Sequence, residues 1–238
     1  MSTNIPWTRV TAEGVVIVAS ILLAFGIDAA WTGRGERAAE IAYYQLLDRD
    51  LTQTIEQLQD YVQYEEERAA AALQAYQALS GGPRPSDEEL SIALSVATQR
   101  RTVDLIAPAY SDMTSTGNIR LLRDRLLRDE VIRFYEAAER DYDVIARNTA
   151  LYVDGLLVSA LYGPGLIRGS YPGTPTAHDE MGFREPDDRV WALPPDAPDL
   201  APLRSALWLR SGGFVLEAAR QLEAANELRR LVRTKLGL

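Results

Sequence analysis

The side chains that carry most enzyme chemistry are scarce in this chain. It has one histidine, His178, no cysteine, and a single lysine, Lys235. A Ser-His-Asp relay has only His178 to build on. A Cys nucleophile, a zinc–thiolate site and a disulfide are excluded, and a multi-histidine metal site is impossible. His178-Asp179-Glu180, with Asp187 and Asp188 nearby, offers hard or borderline metal ligands. One histidine among scattered acids fixes no coordination geometry, so these residues read as a solvated loop. The run Glu65-Glu66-Glu67, beside Tyr61 and Tyr64, reads as a solvated helix face. Arg100, Arg101, Arg120, Arg123, Arg125 and Arg128 form a local basic cluster. Asp124, Asp129 and Glu130 are interleaved with it, so pairing within the chain is expected. Contact with anionic lipid headgroups is the alternative. Thr114-Ser115-Thr116-Gly117-Asn118 lacks the preceding strand and the Gly-Lys-Ser/Thr of a phosphate loop, and helix-end chemistry accounts for it. GxSxG, HExxH and paired Glu-x-x-His motifs are absent. No catalytic, cofactor-binding or metal-binding residue is assigned, and no cofactor is expected.

The chain of 238 residues is long enough to bury a sizeable core. Its net charge of −9 argues against nucleic acid as a partner, since phosphate binding needs a basic face. Apolar residues at 47% exclude a wholly disordered chain.

The most informative segment is Val10 to Trp31, VTAEGVVIVASILLAFGIDAAW. Its uncharged part, residues 14–27, gives roughly 21 Å of helix, short of a hydrocarbon core of ~30 Å. The full 10–31 stretch gives roughly 33 Å and spans, with Glu13 and Asp28 near its two ends. Trp7 and Trp31 bracket it as membrane-interface aromatics. A cleaved signal peptide is disfavoured, because cuts after Ala29 or Ala30 put Ile27 or Asp28 where a small residue is wanted. A core helix of a soluble domain is the remaining alternative to a retained transmembrane helix. Glu13, Ile17, Ser20, Ala24, Asp28 and Trp31 fall within an arc of roughly 80°. Ser20 and Ala24 form a small-xxx-small pair, so Glu13, Ser20, Ala24 and Asp28 make a candidate helix-contact face for a homo-oligomer.

Residues 1–9 form a tail ahead of this helix, and Gly33 and Gly35 predict a joint at 32–36. Residues 37–238 then read as a helical-bundle domain. A single apolar stripe, Tyr44, Leu47, Leu51, Ile55, Leu58, Val62, Ala69, Leu73 and Tyr76, marks a helix to Leu79, ended by Ser80-Gly81-Gly82-Pro83. Ser86 with Glu89 predicts a capping box for a helix to about Gln99. A short helix at 104–116 ends at Gly117, and Asp129 starts a long helix to about Leu161, with Phe134, Tyr142, Thr149, Tyr152 and Leu156 in its stripe. Residues 163–200 hold seven of the twelve prolines and read as a long loop, pinned by Val190, Trp191 and Leu193. A last helix runs from Pro202 to Leu236, kinked at Gly212-Gly213. The fold class expected is all-α: an N-terminal transmembrane helix, then a bundle of three or four main helices.

The segment AEGVVIVASILLAFGIDAAW, followed directly by a long amphipathic helix, resembles an uncharacterised bacterial family of small single-pass membrane proteins. Residues 110–139, YSDMTSTGNIRLLRDRLLRDEVIRFYEAAE, and the Leu- and Glu-rich final helix are similar to that family's core. The resemblance covers roughly three quarters of the chain, excludes the Pro-rich loop, and implies an architecture but no activity.

Three functional classes follow. The first is a membrane-anchored helical interaction or sensor-like module, with the lipid bilayer and an unidentified protein as partners and no catalytic activity. The second is a bundle that holds a small molecule near Tyr135, Tyr142 and Tyr152 under the 163–200 loop. The third, an enzyme, has no acid, base or nucleophile constellation behind it. The expected location is the bacterial inner membrane as a single-pass protein. Arg9 on one side and Arg34 and Arg37 on the other nearly balance, and an extracytoplasmic domain is the working expectation.

Overall fold

The computed structural model describes residues 7–101, 103–162, 165, 167–169 and 184–238, with side chains from residue 16 onward except those of the 168–169 and 184–185 pairs. The described residues form an all-α fold, 83% of them helical. Its spine is α1, Trp7–Leu79, one helix of 73 residues and roughly 110 Å. Three elements flank its inner face. The segment from α4 (Arg125–Asn148) through a π-helical stretch (Thr149–Leu157) to α5 (Val158–Tyr162) runs parallel to α1. Helices α7 (Ala201–Arg210) and α8 (Gly213–Leu236) run back antiparallel, so that Asp48 meets Arg229 while Glu65 meets Arg210. Two short helices, α2 (Asp87–Ala97) and α3 (Pro108–Ser115), fill the gaps between them.

The local chemistry at the helix ends accounts for these boundaries. Ser86 accepts from the Glu89 N–H at 3.1 Å while Glu89 accepts from the Ser86 N–H at 2.8 Å, the reciprocal box that opens α2. Gly117 has φ +73°, the left-handed conformation that ends α3 without a Cβ penalty. The long helix α4 begins at Asp124 rather than at the expected Asp129, because the Asp124 carboxylate accepts from the Leu127 N–H at 3.1 Å. The last helix is broken at Ser211-Gly212 into α7 and α8, a stronger interruption than a kink.

Two expectations are corrected. The 32–36 joint is not a break: α1 continues through Gly33 and Gly35. Glycine's cost of about 1 kcal/mol is set against packing of the adjacent turn, where Arg123 donates to the Gly33 carbonyl at 3.4 Å and to Glu36 at 3.3 Å. The second correction concerns phase. Expected stripe residues Tyr152 and Leu156 do not face inward; Val153 and Leu157 do. The π-helical stretch places more residues in each turn than an α-helix, and the inward face advances by one residue.

Of the expected 163–200 loop, the described part is structured. Strands β1 (Ile167–Gly169) and β2 (Arg184–Pro186) pair antiparallel, Ile167 opposite Pro186. Helix α6 (Arg189–Ala192) follows, and Val190, Trp191 and Leu193 pack on the distal core as expected. Trp191 donates to Asp87 at 2.8 Å. His178, Asp179 and Glu180 lie outside the described residues. Asp187 engages Arg189 at 2.9 Å.

Among the described residues, two helical segments are long and apolar enough to cross a membrane by length and composition: α1 from Val16, whose most apolar 18-residue stretch has a mean hydropathy of 1.8, and Arg125–Tyr162, whose most apolar 18-residue stretch has 1.3. They differ in packing. None of the most apolar stretch of α1 is buried, against 28% in the second. Val16, Val18, Leu22, Leu23 and Phe25 are each more than half exposed.

Candidate functional site

The inward face of α1 carries charge where an amphipathic helix normally carries none. Glu40, Asp50, Glu65 and Arg68 are all buried, at 2%, 4%, 2% and 8% exposure. They recur at the core-facing spacing of Tyr44, Leu47, Leu51, Leu58, Tyr61, Ala72 and Ala75. The run Glu65-Glu66-Glu67, expected to be solvated, is thus divided: Glu65 faces the core while its two neighbours face water. The clue was available, since the expected stripe skips from Val62 to Ala69, and Glu65 lies on the same face in between.

A buried carboxylate survives only if its oxygens are paired. Each of these is answered by a different element. Glu40 accepts from Arg37 at 2.6 Å, from the Arg123 backbone N–H at 2.9 Å and from the Tyr44 hydroxyl at 3.4 Å. Burial, then the Glu40 charge, pushes the Tyr44 phenol up to about 12. Asp50 accepts from the Ala109 N–H at 2.8 Å and so caps the first turn of α3 from the side. Burial holds the Asp50 carboxyl above its ordinary value, opposed by that hydrogen bond.

The densest cluster lies at the middle of the bundle. Glu65 forms an ion pair with Arg210, which is 3% exposed at the end of α7. Arg210 also donates to the Ala97 carbonyl at 3.1 Å and the Gln99 carbonyl at 3.4 Å, and lies over the Phe214 ring at 4.7 Å. Arg68 donates to the Gln99 side chain and to the Tyr64 carbonyl at 2.9 Å, with its guanidinium 3.5 Å from the Tyr64 ring centre. Arg100 pairs with Asp154 of the π-helical stretch. The stretch after α2 is therefore tied to three helices: Arg210 of α7 donates to the Ala97 and Gln99 carbonyls, Arg68 of α1 holds the Gln99 side chain, and Arg100 reaches Asp154 of the π-helical stretch. Neither partner of the Glu65–Arg210 pair is placed as a free acid or base, and the arrangement is a structural clamp.

A groove of about 410 Å³ opens between α4 and α8 against α1. Leu58, Phe134, Ala138 and Leu228 give it apolar walls, and Glu130, Arg133, Arg220 and Glu227 stand among its lining residues. Tyr142 and Gln221 also line it, and the Tyr142 hydroxyl and both polar atoms of the Gln221 side chain are buried without a hydrogen-bond partner. Burial, then Asp104, pushes the Tyr142 phenol up to about 12, so it stays a neutral hydroxyl. Of the three tyrosines expected around a ligand, Tyr142 alone lines the groove. Tyr135 stacks on Tyr110 at 4.6 Å in the core, Tyr152 sits in the π-helical stretch, and no described residue of 163–200 borders the groove.

The candidate contact face of the membrane-type segment is placed as follows. Ser20, Ala24, Asp28 and Trp31 are exposed on α1. The Ser20 hydroxyl donates to the Val16 carbonyl at 2.8 Å, so it is satisfied within its own helix. The side chains of Trp7 and Glu13 lie outside those described.

No family model, curated protein or solved structure matches the chain.

Two measurements check the clamp and the cap. Arg210→Met is expected to cost about 3–5 kcal/mol by stranding Glu65 in the core. Adding Glu65→Leu should recover part of this, but not all, because the Ala97 and Gln99 carbonyls still lose their donor; denaturation of the four chains of the cycle in detergent reads the coupling. Asp50→Ala should cost about 1–3 kcal/mol by orphaning the Ala109 N–H, whereas Asp50→Asn keeps an acceptor. The raised Asp50 value means that the folded state holds this proton more tightly than the unfolded one. The resulting stability is therefore present below the unfolded value of about 3.9 and is lost as pH rises through the folded value. Asp50→Asn should remove that component from the stability–pH curve.

Proposed function

We propose that this protein is a membrane-anchored helical interaction or sensor-like module, related to the single-pass family it resembles. The observation that carries this reading is the fully exposed apolar length of α1, continuous with the helix that organises the bundle core. Val16, Ile17, Val18, Ile21, Leu22, Leu23, Phe25 and Ile27 together would leave on the order of 10 kcal/mol of burial unrealised in water. Lipid removes that cost. The Arg125–Tyr162 segment is the weaker candidate for a span, because it is partly buried and its Asp154 is held by Arg100. Trp31 at 76% exposure fits the interface end of the span. The same reading includes an extracytoplasmic bundle, which the flanking charges permit because a long C-terminal domain translocates largely regardless of them; a C-terminal reporter active on one side only reads this. Association through Ser20 and Ala24 is a part of the same reading that the helix-internal Ser20 bond weakens, as each such contact contributes about 2 kcal/mol at most.

A second reading rests on the groove. Its unpartnered Tyr142 hydroxyl and Gln221 carboxamide suit a small, mostly apolar ligand carrying a hydrogen-bonding group.

The full chain should sediment with membranes and resist high-salt and carbonate washes. Leu22→Arg with Leu23→Arg, each costing about 2.5–3.5 kcal/mol near a span centre, should shift it to the soluble fraction; unchanged membrane retention would sink the anchor. For the groove, Ala138→Phe should abolish saturable binding of an apolar environment-sensitive dye to the full chain while leaving helicity unchanged, and dye binding that survives the substitution removes the ligand reading.

A further inference from the structure

The groove between α4 and α8 has two unlike ends. Helix α4 runs parallel to α1 and α8 antiparallel to it, so late positions of α4 stand level with early positions of α8. Phe134 packs at the level of Ile55, Leu58 and Ala225, and Ile145 at the level of Tyr61 and Ala218. Tyr142 and Gln221 fall between these levels. The two lining side chains whose buried polar atoms have no hydrogen-bond partner therefore share one end of the groove. Leu228 and Leu231 line the other end. Small side chains, Ala137 and Ala138 on α4 and Ala224 on α8, keep the seam open along its length.

Gln221 is 7% exposed, and neither its oxygen nor its nitrogen is paired. A carboxamide at that depth normally spends both on its neighbours, because leaving them free costs stability. Three polar neighbours around the groove are committed elsewhere. The Thr54 hydroxyl donates to the Asp50 carbonyl at 2.9 Å, Glu130 pairs with Arg133 at 2.5 Å, and Glu227 pairs with Arg230 at 2.6 Å. Gln221 thus keeps a donor and an acceptor side by side, and the neutral Tyr142 hydroxyl stands at the same end. A ligand that satisfies Gln221 must itself both donate and accept. Ketones, esters and ethers only accept, and an ammonium only donates. An ionised carboxylate only accepts, and the one arginine lining that end, Arg220, is exposed. A cis-amide carries its N–H and C=O on one edge and meets a carboxamide through two parallel hydrogen bonds. The Tyr142 hydroxyl then donates to the remaining carbonyl lone pair.

We propose that the groove binds a neutral, largely apolar ligand through a cis-amide head (a lactam, a cyclic imide or a primary carboxamide), paired with the Gln221 carboxamide and held by the Tyr142 hydroxyl. The proposal rests on the ligand reading of the groove and adds the head group that the groove selects. The volume of about 410 Å³ and the walls of Leu58, Phe134 and Leu228 suit a ring-sized apolar body.

The test uses the full-length chain in detergent and a matched pair of probes. 2-Quinolone is a lactam fused to a benzene ring, and N-methyl-2-quinolone keeps the carbonyl and the apolar body but lacks the N–H. Displacement of the environment-sensitive dye from the groove reads binding, at one detergent concentration for all chains. The native chain should bind 2-quinolone about tenfold or more tighter than its N-methyl partner. In Gln221→Leu that preference should vanish, so that the two probes bind alike. The same substitution should raise the thermal unfolding midpoint, because it removes an unpaired buried carboxamide. That rise separates a lost partner for the ligand from a damaged fold. Tyr142→Phe should weaken both probes and keep their order. Equal affinities in the native chain overturn the head-group assignment and leave the groove reading standing, as does a chain that binds the dye but neither quinolone. A preference that persists in Gln221→Leu is a steric effect of the methyl group and also overturns the assignment. A lowered unfolding midpoint in Gln221→Leu means that the carboxamide serves the fold, with the same consequence. A chain that binds neither the dye nor the quinolones removes the ligand reading, and the head group with it.

Discussion

A single helix of 73 residues gains little in water from its own hydrogen bonds, and what fixes α1 is the seam it shares with its neighbours. Every buried apolar cluster contains side chains from it: Tyr44 to Leu51 at one end, Ile55 and Leu58, then Tyr61, and Ala72 to Leu79 at the other. An apolar seam of this length tolerates sliding, because one turn of a helix looks much like the next. The charges in the seam remove that freedom. Glu40, Asp50, Glu65 and Arg68 are spread over roughly 42 Å of α1. Each is matched to a different element, namely the turn before α4, the start of α3, the end of α7 and the stretch after α2. A one-turn slip would strand four buried charged groups at once. Buried ion pairs add little net stability over apolar substitutes; here we assign them to register.

What was legible in the sequence is what is decided locally. The capping box at Ser86, the left-handed Gly117 and the stop after Leu79 depend on residues within a turn of one another, and all stand where their chemistry put them. Asp129 was the expected start of α4, but Asp124, five residues earlier, is an equally good acceptor and is the one that caps it. The buried charges were illegible for the opposite reason. Glu65 and Arg210 are 145 positions apart, and an acidic run reads as solvent-facing until the partner that neutralises one member is known. The groove is likewise assembled from residues of α1, α4 and α8 that share no motif.

The π-helical stretch shows how a local geometry decides a longer-range fit. An α-helical continuation of α4 would turn Tyr152 and Leu156 toward α1. The wider turns present Val153 and Leu157 instead, and Leu157 enters the distal cluster with Leu161. They also place Asp154 where Arg100 can pair with it, tying this helix to the clamped stretch after α2. The cost of the poorer helical geometry is offset by that fit. It also explains why a segment with the hydropathy of a membrane span is part of the bundle wall.

The unbroken course of α1 through Gly33 and Gly35 bears on how the proposed anchor and the bundle communicate. A Cβ at either position would meet nothing within 4 Å, so packing does not require glycine there. By propensity this is the weakest part of the helix, and it lies between the stretch proposed for lipid and the stretch buried in protein. The contacts that bridge it come from Arg123, whose own position is set by the buried Glu40. The stiffness of the junction is thus supplied by the bundle rather than by the residues of the junction. A tilt or rotation of the N-terminal segment would act first on Glu40 and Arg123. From there it would pass into the core through Tyr44, whose hydroxyl shares the Glu40 carboxylate.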